Sequence, residues 1–121
     1  MNADLQLDLE GLPGVLVARP QADIDMAVAP VIERTLIDAV ERYRPACVVV
    51  DLGAVPYIDS SGIRLLFRLY SSLAEEPSRL IVVAPPGSSA DRLLGLVALG
   101  DIGDVRPSLD AALGACQDPA R

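Results

Sequence analysis

The chain has no histidine, no lysine and no tryptophan among its 121 residues, and three tyrosines and one phenylalanine are its only aromatic residues. Each absence removes a chemistry. A serine attacks a carbonyl only when a neighbouring base takes its proton, and histidine and lysine are the usual bases. A stand-alone serine hydrolase, with either a Ser-His or a Ser-Lys pair, is therefore excluded. A phosphate-binding P-loop needs a lysine for the outer phosphates, and none exists. With no imidazole and only Cys47 and Cys116 as thiols, a metal site would have to be built from carboxylates. Asp23 and Asp25 are too sparse a cluster for one, so neither a metal nor any other cofactor is expected.

Other scarcities set the class of molecule. No apolar run approaches the roughly 18 residues of a membrane helix, and the start MNADLQLDLE lacks the basic-then-apolar pattern of a signal peptide. The cytoplasm is the expected compartment. Two cysteines far apart in sequence do not make a disulfide framework, so two free buried thiols are expected. All ten basic residues are arginine, and the formal charge is −7. That balance argues against binding nucleic acid or an anionic membrane surface.

What is present is aliphatic. Hydrophobic residues make up 51% of the chain and aromatics 3%, so the core must be built of Val, Leu, Ile and Ala. The length suits one domain, with a core over about residues 5–113 and a frayed tail over 114–121. DLQLDLEG alternates like a half-buried edge strand, and a Gly/Pro turn leads from it into VLVARP, making an opening β-hairpin. From Ala27 to Arg42, Val28, Val31, Ile32, Leu36, Ala39 and Val40 recur at helical spacing, with Tyr43 just beyond. Pro30 falls in the first turn, where proline is tolerated. CVVVDL and RLIVVAP read as strands buried on both faces. A helix from about Ser61 to Glu75 turns Ile63, Leu66, Phe67, Tyr70 and Leu73 toward the core. SSADRLLGLVALG forms a helix with a serine or aspartate cap, IGDVR a short last strand, and SLDAALGAC a closing helix. The order is an α/β domain: a mixed, mostly parallel sheet of about five strands with about four helices.

One stretch calls for a chemical reading. In PYIDSSGIRLLF, an acid, two serines and a glycine join an apolar strand to an apolar helix. On the residues alone the turn reads as a helix cap, Asp59 or Ser60 accepting a backbone N–H bond worth roughly 0.5–2 kcal/mol, with Gly62 allowing close passage. The same position suits an anion, because N–H groups and the helix dipole point at it. Arg64 and Arg68 share a helix face with Ser60 and Ser61. Asp23 and Asp25 follow the second strand and belong at the same end of the sheet, with Met26 a candidate exposed apolar contact and Ile24 a core residue. Asp51 also follows a buried strand, but the acidic pair and late lysine of phospho-acceptor receiver domains are missing.

The stretch VVVDLGAVPYIDSSGIRLL resembles the signature of the STAS domain family, in particular its bacterial anti-sigma factor antagonists. ADIDMAVAP is similar to the family's Gly-Glu-Leu-Asp loop, with Ala22 and Asp23 where glycine and glutamate usually stand. LIVVAPP and LLGLVALGDIGDVRPSLDAAL are similar to its later elements, and the likeness spans about Leu5 to Leu113. The resemblance implies a non-enzymatic protein switch. It implies a partner that is both an anti-sigma factor and a serine kinase, phosphorylation on Ser60 with Ser61 the secondary candidate, and a phosphoserine phosphatase that restores the chain. Asp23, Asp25, Asp59, Ser61, Gly62, Arg64 and Arg68 are the expected partner-binding residues. A STAS scaffold in a stressosome-type or lipid-transport assembly, or a small-ligand-binding member, is the alternative.

Overall fold

The computed structural model describes residues 5–8, 13–75, 78–95 and 104–117. Five strands form one sheet in sequential order: β1 (Leu5–Asp8), β2 (Val15–Pro20), β3 (Cys47–Asp51), β4 (Arg79–Val83) and β5 (Asp104–Arg106). β1 runs antiparallel to β2, and the other pairings are parallel. Gly14, at φ 76°, makes the turn into β2, a conformation that glycine adopts without strain. The expected strand residue Leu9 and the helix residues after Gly95 lie outside the described residues.

The helices are α1 (Ala29–Tyr43), α2 (Ser60–Ala74), α3 (Ser89–Leu94) and α4 (Leu109–Gln117). Sequential strand order has a direct consequence. Right-handed crossovers that all step the same way put their helices on one face. α1, α2 and α3 accordingly share one core with Leu16, Val48, Val50, Leu80 and Val82 of the sheet. The alternate strand residues Val15, Val17, Val49, Ile81 and Val83 face the other way, where Ala112 and Ala115 of α4 cover them.

Several expectations need correction. Cys47 and Cys116 are not free thiols but form a disulfide, with Cα atoms 6.0 Å apart across a sequence separation of 69 residues. Docking of α4 on the back of the sheet brings its last turn over the start of β3, a proximity that chain distance does not reveal. Closing so long a loop is worth about 4 kcal/mol in chain-entropy terms. The same contact keeps 114–117 helical rather than frayed, helped by Arg79 Nη1 donating to the Ala115 carbonyl at 2.7 Å.

The buried arcs of two helices also differ from the expected ones. Val31 and Tyr43 of α1 and Tyr70 of α2 are exposed, while Leu65 and Leu69 are buried. In α2 the expected Ile63, Leu66 and Leu73 are buried, and Gly62, Leu65 and Leu69 join them; Gly62, Leu65, Leu66 and Leu69 follow i, i+3, i+4, i+7 spacing once the glycine is counted. α1 starts two residues later than expected and ends where Arg44 turns left-handed, at φ 49°, just before Pro45.

Candidate functional site

Two loops leave the carboxyl ends of β2 and β3 and are zipped together. Ile24 and Ile58 form an isolated parallel bridge. Ile24 N–H donates to the Tyr57 carbonyl at 2.9 Å, and Asp59 N–H donates to the Ile24 carbonyl at 3.2 Å. Both isoleucines are buried, so the pairing is held by side chains as well as backbone. Asp23, Asp25 and the DSSG turn therefore lie at one end of the sheet, side by side.

Each loop carries its own aspartate brace. Asp25 Oδ1 accepts from the N–H groups of Ala27 at 3.0 Å and Val28 at 3.1 Å, shaping the entry to α1. Asp59 is the N-cap of α2, with extended backbone and Oδ1 accepting from Ser61 N–H at 2.8 Å. Of the two capping candidates, the aspartate holds the duty. Ser60 is thereby left exposed as the first residue of the helix, and among the described residues no hydrogen bond engages its hydroxyl.

Gly62 is required for a steric reason. A Cβ on it would lie 2.3 Å from Ile58 Cγ1, 2.5 Å from Ile58 Cδ1 and 3.3 Å from Ile24 Cγ2. The first turn of α2 thus rests directly on the bridge that joins the two loops. Any side chain there would force Ile58 or the first turn of α2 to shift.

Ser61 is half-buried and opens into a shallow groove of about 170 Å³ lined by Met26, Ala29, Pro30, Arg64 and Arg68. Of the expected face of Ser60, Ser61, Arg64 and Arg68, the groove brings together Ser61 and the two arginines but not Ser60, and α1 forms its far wall. The arginines differ in engagement. Arg68 Nε pairs with Glu33 Oε1 of α1 at 2.9 Å, whereas Arg64 has no ion pair among the described residues and is exposed. Asp23 is exposed as well. Asp51 accepts from Gly53 N–H at 2.9 Å and faces Arg19 at 3.7 Å, serving the turn after β3.

Two contributors were not expected from the sequence. Ser89, in the first turn of α3, accepts from Ile58 N–H at 3.3 Å and ties that helix to the turn. Its signal was the doublet Ser88-Ser89, of which Ser88 takes the cap by accepting from Asp91 N–H. Tyr57 is 55% exposed beside Met26's loop, and Met26 is 75% exposed. Together they add large apolar surface to a polar turn. Among the described residues no group of acidic or thiol side chains could hold a metal ion, and no helix is long and apolar enough to cross a membrane.

The STAS domain profile matches residues 6–112. The chain belongs to the STAS domain family. An anti-sigma factor antagonist from Mycobacterium paratuberculosis is 31% identical to it in structural alignment, with a TM-score of 0.80, covering 97% of this chain and 98% of that one. The anti-sigma F factor antagonist of Paenibacillus polymyxa is 26% identical over 98 residues, 79% of this chain and 81% of the relative. The anti-sigma factor antagonist SpoIIAA, solved in its unphosphorylated form, shares the fold at 14% identity, with a TM-score of 0.68 over 92% of this chain and 94% of that one. This STAS chain thus presents its DSSG turn on a braced, two-loop platform.

Proposed function

We propose that this STAS chain is an anti-sigma factor antagonist that works by partner switching. Unphosphorylated, it binds an anti-sigma factor that is also a serine kinase, and so frees a sigma factor. The kinase phosphorylates Ser60, the complex dissociates, and a phosphoserine phosphatase restores the free chain. The observation that carries this reading is the division of labour in the turn: Asp59 caps α2, and the Ser60 hydroxyl is exposed, with no hydrogen bond to it among the described residues.

The chemistry supports the assignment. The chain has no histidine base and no nucleotide-binding lysine, so the phosphoryl donor and the base are assigned to the partner, and the chain itself acts as a substrate, not an enzyme. A phosphate on the first residue of a helix meets free N–H groups and a favourable dipole, so the free domain tolerates it. Ser61 is the weaker acceptor because it is half-buried and its N–H is held by Asp59. Asp23, Arg64, Met26 and Tyr57 offer the direct contacts to the partner. Asp25, Asp59 and Gly62 shape the platform, and Arg68 reaches the groove from its pair with Glu33. The likeness to named antagonists over most of the chain supports the partner class. The site of action is the cytoplasm, where transcription takes place, and neither nucleic acid nor membrane is a partner of so acidic a chain.

The test is phosphorylation by the cognate kinase with Mg-ATP, followed by peptide mapping. One phosphate on Ser60 is expected, lost in Ser60→Ala, whose stability should stay within about 0.5 kcal/mol of the parent because the cap is on Asp59. Undiminished labelling of Ser60→Ala would refute the assignment.

A further inference from the structure

The back of the sheet is covered thinly. α4 has nine residues, fewer than the ~12–15 at which an isolated helix becomes even marginally stable in water. Its fully buried side chains are two alanines, Ala112 and Ala115, with Leu109 and Leu113 only partly buried. Alanine buries little apolar area, so packing alone holds this helix weakly. Two attachments at its last turn make up the difference: the Cys47–Cys116 disulfide and the bond from Arg79 to the Ala115 carbonyl.

A disulfide is unusual in a chain that meets an anti-sigma factor. Where transcription takes place, thiols are kept reduced, and the disulfides found in such compartments are mostly transient and redox-sensing. The two sulfurs are also unequally placed. Cys47 is 2% exposed in the sheet, while Cys116 is half-buried near the end of α4. Access is therefore from the Cys116 side.

We propose that Cys47–Cys116 is a redox-active site whose reductant is a dithiol, and that its reduction releases α4 from the sheet while the Ser60 turn stays in place. A thiolate of the dithiol attacks Cys116 Sγ. The S–S bond breaks, Cys47 leaves as a thiolate, and Cys116 is held in a mixed disulfide. The second thiol of the reductant attacks its own sulfur in that bond and expels the Cys116 thiolate. Both thiolates then take up protons. Two electrons and two protons pass to the protein, and the reductant is left as a disulfide. Release of α4 uncovers Val49, Ile81 and Val83 and opens the cluster that also holds Val15 and Val17. The turn survives because its supports, the Ile24–Ile58 bridge and Ser89, lie on the other face.

This inference takes only the compartment from the reading above, and its test involves no partner. Amide hydrogen exchange of the full chain is followed by mass spectrometry before and after dithiothreitol, with alkylation counting the free thiols. The expected result is no alkylation before reduction and two sites after it. Amides over 109–117 should then exchange about tenfold faster or more, and those over 60–74 should change by less than about twofold. Cys116→Ser should show the reduced pattern without reductant, and glutathione disulfide should restore protection to the reduced parent chain. Two alkylatable thiols before reduction, an α4 indifferent to reduction, or equal loosening of both segments would each overturn the proposal. A chain that fails to bind an anti-sigma factor but gives the expected exchange pattern would refute only the function proposed above.

Discussion

The two faces of the sheet are held by different means. On one, twenty-three buried residues among those described, from α1, α2, α3, the strands β2, β3 and β4 and the loops after them, interlock beneath the DSSG turn. On the other, among the described residues, six buried sheet residues pack with two alanines of a single short helix fastened by a disulfide. The DSSG turn sits on the densely packed face, braced locally by aspartates on neighbouring N–H groups and across the fold by the bridge between its two loops and by Ser89. A site that must present one hydroxyl in a fixed place gains from such support, because rigid surroundings hold functional groups better than loops alone.

Glycine substitutions sharpen that contrast. Gly62→Ala places a methyl group inside the contact distance of Ile58, and overpacking of this kind costs about 1–3 kcal/mol. Its denaturant midpoint should fall, and with the turn displaced, phosphorylation of Ser60 should slow. A Gly62→Ala protein as stable as the parent would mean that the platform is soft. The next effect in size is the cap. Asp59→Ala removes the bond to Ser61 N–H and should lower stability by about 1 kcal/mol, measurable in the same unfolding curves. A loss confined to Ser60→Ala would contradict the capping assignment.

The smallest effect has the opposite sign. Gly114 sits inside α4, and a Cβ there would meet nothing within 4 Å. Gly114→Ala should stabilise the chain by about 0.5–1 kcal/mol through helix propensity and a less flexible unfolded state. Thermal melting checks it, and a lowered midpoint would show that α4 is packed more tightly than its small side chains suggest.

The comparison also explains what was legible beforehand. Local patterns carried much of the molecule: alternation marked β1, continuous apolar runs gave β3 and β4, and the DSSG junction marked the start of α2. Its buried stripe was misjudged toward Tyr70 because Gly62, with no side chain, does not count as hydrophobic, yet it is buried against Ile58 on the side of the helix that carries Leu65, Leu66 and Leu69. Ser89's bond to Ile58 joins residues 31 apart in sequence, and the disulfide joins residues 69 apart. Contacts of that kind depend on how elements dock, and no local pattern announces them.

The central claim is that Ser60 is a switch mounted on a platform that does not itself change. Phosphoserine carries about −1.5 to −2 charges at neutral pH. At an interface shaped for a neutral hydroxyl beside Asp59 and Asp23, such charge costs several kcal/mol. The most direct measurement is the affinity of Ser60→Glu for the cognate anti-sigma factor, with the melting temperature taken on the same preparation. The account predicts binding weaker by roughly a hundredfold and a melting temperature within a few degrees of the parent. Parental affinity in Ser60→Glu would contradict it and leave the turn as no more than the start of a helix.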